Sequence, residues 1–343
     1  MTTMRKVAEL AGVSIATVSA VVNNSAYVSD ELRERVQSAI SQLDYRPNAL
    51  ARSLKNRRTK LLGFMVRNIT NPFYPEVVLG AEDAARAAGY NILVSTTADE
   101  EDRERACLES MLEHRVDGML LGIVDEINNP TLIKLKEQKV PLVLVNRWPE
   151  GFEGNAVVAD NIEGGLLATR HMIDQAYKKI AFIGAAQRFI TSRHREEGYR
   201  RAMREASLAV PEDFIRYCDY SEEHAYTEYR KIIESGEIPQ AVFAANDLMA
   251  FGVIRAFLDS GYRVPEDVAV VGCDDIEFSS KFLIPLTTVH LHKYEMGKLG
   301  AELLIRAINE PDIAEPKGEF IQIKPYLVIR KSCGAMKTET HGP

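Results

Sequence analysis

No run of about 18 apolar residues occurs in the 343-residue chain, which excludes a membrane-spanning helix. The opening residues 1–6 lack the apolar core of a signal peptide, so the expected compartment is the cytoplasm. Cysteine is sparse. Cys107, Cys218, Cys273 and Cys333 are widely spaced, with no CxxC pair, which argues against a disulfide framework or a zinc pattern and for buried thiols. Catalytic signatures are missing too: there is no GxSxG elbow, P-loop, HExxH, or GxGxxG after a strand. What is present is 46% hydrophobic residues and 27% charged ones, enough apolar material for sizeable cores and too much for a wholly disordered chain. The length suggests two or three domains.

Charge is unevenly spread. The net value is −7, but residues 1–60 hold ten Lys/Arg against five Asp/Glu, and the remainder holds 32 against 44. A basic end on an acidic body suggests a nucleic-acid module joined to a separate one. Residues 4–10 have helical spacing, with Val7, Ala8 and Leu10 facing inward, and Gly12 suits a tight turn. Ser14 caps a second helix with Val18, Val21 and Val22 on its buried face. Ser29 and an acidic first turn open a third helix, which runs to about Leu43. Three short helices with a glycine turn between the first two are the plan of a helix-turn-helix domain. From Tyr45 to Lys60 there are six basic residues and no acidic one, including a short helical stretch too small to be stable alone.

These segments closely resemble the lactose/galactose repressor (LacI/GalR) family. The match runs through Val7-Ala8-Glu9-Leu10-Ala11-Gly12-Val13-Ser14, Thr17-Val18-Ser19, Val22-Asn23, Val28-Ser29 and residues 45–54, in order and at unbroken spacing. The resemblance implies that Ile15, Ala16 and Ala20 read base edges in the major groove. It places Ser14, Thr17, Ser19, Asn23 and Ser29 at phosphates or bases, and Tyr45 and Asn48 at the DNA backbone. Ala51 and Leu54 would lie at the DNA in a hinge helix, with Leu54 the wedge that kinks a minor-groove step. Ala20 departs from the family, where a long polar side chain often stands. Ile15, Ala16 and Ala20 can touch a thymine methyl but cannot form bidentate hydrogen bonds, so direct readout at these positions is thin.

Beyond Lys60, apolar runs alternate with amphipathic stretches. Strands are expected at 61–66, 90–97, 118–124, 141–146, 180–184, 241–246 and 268–273, with helices at 75–89, 101–115, 161–176, 193–208, 222–235 and 247–260. A further helix at 293–309 and a last strand near 326–329 follow. This pattern indicates parallel sheets covered on both faces, in two units that break near 158–162. It resembles the periplasmic-binding-protein-like sensor of the same family. The expected fold is therefore an all-α helix-turn-helix headpiece plus an α/β two-lobed sensor. The divisions are 1–46, a hinge at 47–60, a sensor at 61–333 and a tail at 334–343. The resemblance implies three crossings, near 160, 290 and 321, with a first lobe of 61–160 and 290–320 and a second of 161–289 and 321–333.

Ligands bind beyond the carboxyl ends of strands in such sheets. The polar residues there are Asn68, Asn71-Pro72-Phe73-Tyr74, Asn146-Arg147-Trp148, Asp160-Asn161, Thr191 to Arg195, Asn246-Asp247 and Asp274-Asp275. Singly, each suits a turn, a cap or an interface core; together, on successive strand ends, they define a cleft. The family match adds Tyr220 and Phe189 and assigns pocket positions to Phe73, Asp160, Thr191, Arg195, Asn246 and Asp274. Carboxylate and amide acceptors beside a planar arginine and aromatic faces suit a sugar. Phe189 stands where the purine-responsive relative has a basic residue, which disfavours a purine. Arg147 with Arg195 would accommodate a sugar acid or sugar phosphate.

The reading is an effector-responsive transcriptional regulator, a repressor of carbohydrate-utilisation genes. It would bind a pseudopalindromic operator as a homodimer, with helices 75–89 and 101–115 at the dimer contact and no tetramerising coiled coil in the tail. No cofactor, metal or membrane partner is expected; His290 and His292 lack a third ligand. The alternatives are an enzyme using the same cleft and a sugar-binding protein, cytoplasmic or exported.

Overall fold

A computed structural model describes residues 3–23, 26–45, 58–124, 128–310 and 318–335. The hinge positions Asn48, Ala51 and Leu54, and the tail beyond 335, lie outside the described residues. The chain divides into two compact units, 1–59 and 60–343.

In the first unit, α1 (Met4–Ala11) starts at Thr3, whose hydroxyl accepts from the Lys6 amide, and stops at Gly12 in the left-handed region, φ 63°. Arg35 of α3 (Asp30–Gln42) donates to the Ala11 carbonyl at 2.7 Å, locking the turn to the third helix. Ser14 caps α2 (Ile15–Asn23), accepting from the Thr17 amide at 3.0 Å. Val7, Ala8, Ala11, Val18, Val21, Val28, Val36, Ala39 and Tyr45 form the core. Two expectations shift. Leu10 is 50% exposed and Ala11 takes its inward place. Ser29 holds the N-cap position of α3 without a side-chain cap bond.

The second unit contains two six-stranded sheets. In the first lobe β1 (Leu61–Val66) leads to α4 (Phe73–Ala87), β2 (Asn91–Thr96), α5 (Glu101–Glu113), β3 (Gly118–Leu121), α6 (Pro130–Glu137), β4 (Leu142–Val145) and β5 (Ala156–Ala159). The chain then crosses to α7 (Asn161–Asp174), β6 (Ile180–Ala185), α8 (Ile190–Glu205), β7 (Ile215–Cys218), α9 (Glu222–Glu234), β8 (Ala241–Ala244), α10 (Asp247–Asp259), β9 (Ala269–Asp274), α11 (Glu277–Lys281) and β10 (Thr287–His290). It returns with α12 (Lys293–Asn309), which packs on α4 and on β3 to β5, then continues into β11 (Phe320–Ile323) and β12 (Tyr326–Val328).

The strand orders, β11-β5-β4-β3-β1-β2 and β12-β10-β9-β8-β6-β7, repeat one plan. All pairings are parallel except β10 with β12. Parallel strands need covering on both faces, hence the near-continuous Val/Ile/Leu runs. In each sheet the order reverses, at β1/β3 and at β6/β8, and the crevice beyond those strand ends is where such folds bind ligands. The two carboxyl edges belong to one unit and face a common cleft.

The third crossing is displaced from expectation. β11 pairs with β5 through Ile323, so residues 321–323 belong to the first lobe and the chain crosses after them. α8 begins at Ile190 rather than 193, which moves Thr191 from a loop onto the helix. Strands β5, β7, β10 and β11 and helices α6 and α11 were not read from the sequence.

Candidate functional site

On α2, Ser14, Ile15 and Ala16 are exposed, while Thr17, Ser19 and Ala20 are half-buried. Val18 and Val21 point into the core, so helical periodicity leaves residues 15, 16 and 19 facing outward, while Ala20 lies at the edge and packs partly against the core. Ile15 is 49% exposed, an apolar side chain with no core to join. Asn23 ends the same helix and Ser29 is exposed at the start of α3. Tyr45 is different: its ring is 8% exposed and forms part of the headpiece core, so packing is its first role.

In the second unit, a cleft is lined by Arg67, Asn71, Phe73, Tyr74, Asn146, Arg147, Thr191, Arg195, Tyr220, Asn246 and Asp274. Each comes from a strand end or the helix that follows. Arg195, on the second turn of α8, is almost fully buried. Its Nε donates to Asn161 Oδ1 at 2.8 Å, and its Nη1 to Asp274 Oδ1 at 3.2 Å and to the Ala245 carbonyl. Burial pushes the Asp274 carboxyl up to about 7; Asp247 adds to this, while Arg195 and Lys293 pull the other way. Asp274 and Asn146 both have positive φ, 124° and 70°. Strain of that kind at non-glycine residues collects at ligand sites. The Asn146 oxygen is also buried without a hydrogen-bond partner, a cost that a bound donor would remove.

Tyr220 lines the cleft, and the Phe189 ring lies behind it with ring centroids 5.5 Å apart. The Arg147 guanidinium lies 4.7 Å from the Phe189 centroid, and that of Arg67 lies 5.4 Å from Tyr220. Asp99 pairs with both arginines, at 3.3 Å from Arg147. Thr191 Oγ1 and the Tyr220 hydroxyl are 2.9 Å apart. Two amides divide their work. Asn71 Oδ1 accepts from the Phe73 amide at 3.0 Å, and Asn246 Oδ1 caps α10 by accepting from the Met249 amide at 2.8 Å.

Ten of the twelve residues expected at the effector cleft line it. Asp160 does not. Its carboxylate caps α7, accepting from the Glu163 amide at 3.0 Å. Phe189 stands behind the arginines and lines an adjoining cleft with Asp99 and Arg188. Arg67 was missed, although it directly follows β1 beside the polar residues that were read. Asn161, one of the strand-end polar residues, supports Arg195. Asp247 is a buried scaffold: it accepts from the Ile276 amide at 2.9 Å and the Ser279 hydroxyl at 2.6 Å, fixing the turn after β9. Trp148 packs edge-on against His194 and Phe320. His290 pairs with Asp275 at 2.8 Å and stacks on Tyr326. Among the described residues no group of His, Cys, Asp and Glu could hold a metal, and no helix is long and apolar enough to cross a membrane.

An exposed helix-turn-helix face and a two-lobed, arginine-centred cleft define a DNA-binding regulator with a small-molecule sensor. Residues 3–48 match the family model described as bacterial regulatory proteins, lacI family, and residues 169–333 match a periplasmic binding protein-like domain. The chain is 38% identical over 333 residues to the ribose operon repressor of Escherichia coli (strain K12), spanning 97% of this chain and 100% of that one. It is 34% identical to the HTH-type transcriptional repressor PurR of Mannheimia succiniciproducens, over 97% and 98% of the two chains. The solved Lac repressor dimer bound to operator and the anti-inducer ONPF superposes with a TM-score of 0.87 at 26% identity, covering 97% of this chain and 99% of that one. The chain belongs to the lacI family of bacterial regulatory proteins. It is a transcriptional regulator, not an enzyme.

Proposed function

We propose that the chain is a cytoplasmic repressor of carbohydrate-utilisation genes, with a sugar or sugar derivative held between the lobes as effector. It acts as a homodimer on a pseudopalindromic operator, reading bases with Ile15, Ala16 and Ala20, while Leu54 in the hinge wedges the duplex. The buried, unpartnered Asn146 oxygen, facing a cleft that also holds the Arg195–Asp274 pair, carries the effector reading. A hydroxyl is the natural donor for it, and an arginine–carboxylate pair can both give and accept bonds to neighbouring hydroxyls. One relative is a ribose operon repressor, and a ribose would present hydroxyl donors and acceptors to such a site.

The test is a thermal-shift screen of the full chain against ribose, other monosaccharides, sugar acids, sugar phosphates and purines. It is followed by operator binding, on DNA selected from a random pool, with each hit. A sugar-class hit that changes operator affinity supports the reading; stabilisation by purines alone would overturn it. Linkage further requires that operator DNA alter effector affinity by the same factor. Equal effector affinity with and without DNA would sink the allosteric mechanism.

A further inference from the structure

We infer that Lys293 is a positioning residue that pins the Asp274 turn of the second lobe to Glu76 of the first. The inference rests on the effector reading of the cleft, but its test adds no effector.

Lys293 opens α12 just after the second crossing and is fully buried. An ammonium has three donors, and all three are met. Lys293 Nζ donates to the Asp274 carbonyl at 2.6 Å and the Asp275 carbonyl at 2.8 Å, and pairs with Glu76 Oε2 at 3.3 Å. None of these acceptors is on its own helix. Two belong to the strand-end turn of β9, in the second sheet. The third belongs to the first turn of α4, the helix that brings Phe73 and Tyr74 to the cleft. The body of α12 packs against α4 at backbone distance: a Cβ added at Gly297 would stand 1.8 Å from the Val77 carbonyl oxygen. The lysine is thus anchored in one lobe and reaches with its charge into the other.

The turn it holds is unusual. Asp274 and Asp275 have φ of 124° and 50°, both disfavoured for residues with a Cβ. Lys293 binds the carbonyls of this turn, and Asp247 accepts the Ile276 amide just beyond it. A cation and an anion therefore clamp the backbone that aims the Asp274 carboxylate at Arg195. A buried ammonium is harder to desolvate than an apolar side chain of the same length; its three directed bonds across two lobes account for its presence. Glu76 is 40% exposed, so its ion pair is the weak link.

The experiment is residue-resolved hydrogen–deuterium exchange on the full chain, comparing wild type, Glu76→Gln, Lys293→Met and the double variant. The Asp275 and Ile276 amides are both hydrogen-bonded, to Thr288 Oγ1 and Asp247 Oδ2, so their protection is readable. Glu76→Gln, made in the first lobe, should speed exchange of these second-lobe amides by about tenfold. The amides of β3 and β8 should be unchanged. Lys293→Met should speed the same amides at least as much, and the double variant should exchange no faster than Lys293→Met, because both substitutions cut one link. Unchanged rates at Asp275 and Ile276 in Glu76→Gln would overturn the inference, as would a rise spread equally through both sheets. If Lys293→Met fails to fold, the Glu76→Gln comparison still decides. A sugar screen without hits leaves this result standing, and the reverse holds.

Discussion

At the scale of single residues, Asp274 has the most to explain. Its carboxyl is raised from an ordinary 3.8 to about 7, chiefly by burial. A carboxyl whose folded value lies above its unfolded one binds a proton on folding, so the ionised form opposes the native state. Stability should be highest below the ordinary value, decline as pH climbs from there to about 7, and then level off. Asp274→Asn should flatten that decline in urea midpoints taken across the window; the same slope in both proteins would remove Asp274 as its cause. Most cleft residues were legible because strand ends in a parallel sheet are where polar side chains collect. Arg67 and Asp160 show the limit. Both flank apolar strands in the same way, but only the turn geometry decides that Arg67 faces the cleft and that Asp160 turns back to cap α7.

At the scale of elements, the α4–α12 crossing joins the two separate parts of the first lobe. Gly80 and Gly297 let the two helices touch through their backbones; a Cβ at Gly80 would stand 2.0 Å from the Tyr294 carbonyl oxygen. Gly297→Ala should therefore force the helices apart and cost about 2 kcal/mol or more. That is a visible fall in the sensor's thermal midpoint, and an unchanged midpoint would show that the crossing relaxes freely. Neither glycine announces this role, because helix-interior glycines read only as weak points of a helix. Long amphipathic helices and buried strands were legible from period and composition. Four of the four-residue strands, β5, β7, β10 and β11, were not. β5 is a plain Ala-Val-Val-Ala, and β11 is a partly exposed edge that alternates in burial. Such short segments become strands only through the partners beside them, β4 for the one and β5 for the other.

For the whole molecule, charge asymmetry sets the behaviour on DNA. Residues 1–60 carry ten basic and five acidic side chains, and the body carries 32 and 44. A phosphate-reading end on a repelled body should give operator affinity that falls steeply with salt through counterion release. Effector affinity, set in the cleft between the lobes, should change little over the same range. A flat log–log plot of operator affinity against salt would contradict the division of labour.

The sequence by itself determined the two-part organisation, the helix-turn-helix face and most of the cleft's residue types. Each of these follows from local periodicity, capping chemistry and strand-end polarity, which a linear chain displays directly. Only the tertiary structure decided where the chain crosses for the third time, which asparagine is left with an unpaired oxygen, and that Lys293 joins Asp274 to Glu76. Those facts depend on contacts between residues about two hundred positions apart, such as Glu76 with Lys293. A buried charge reveals its partners only once folding has removed the water around it.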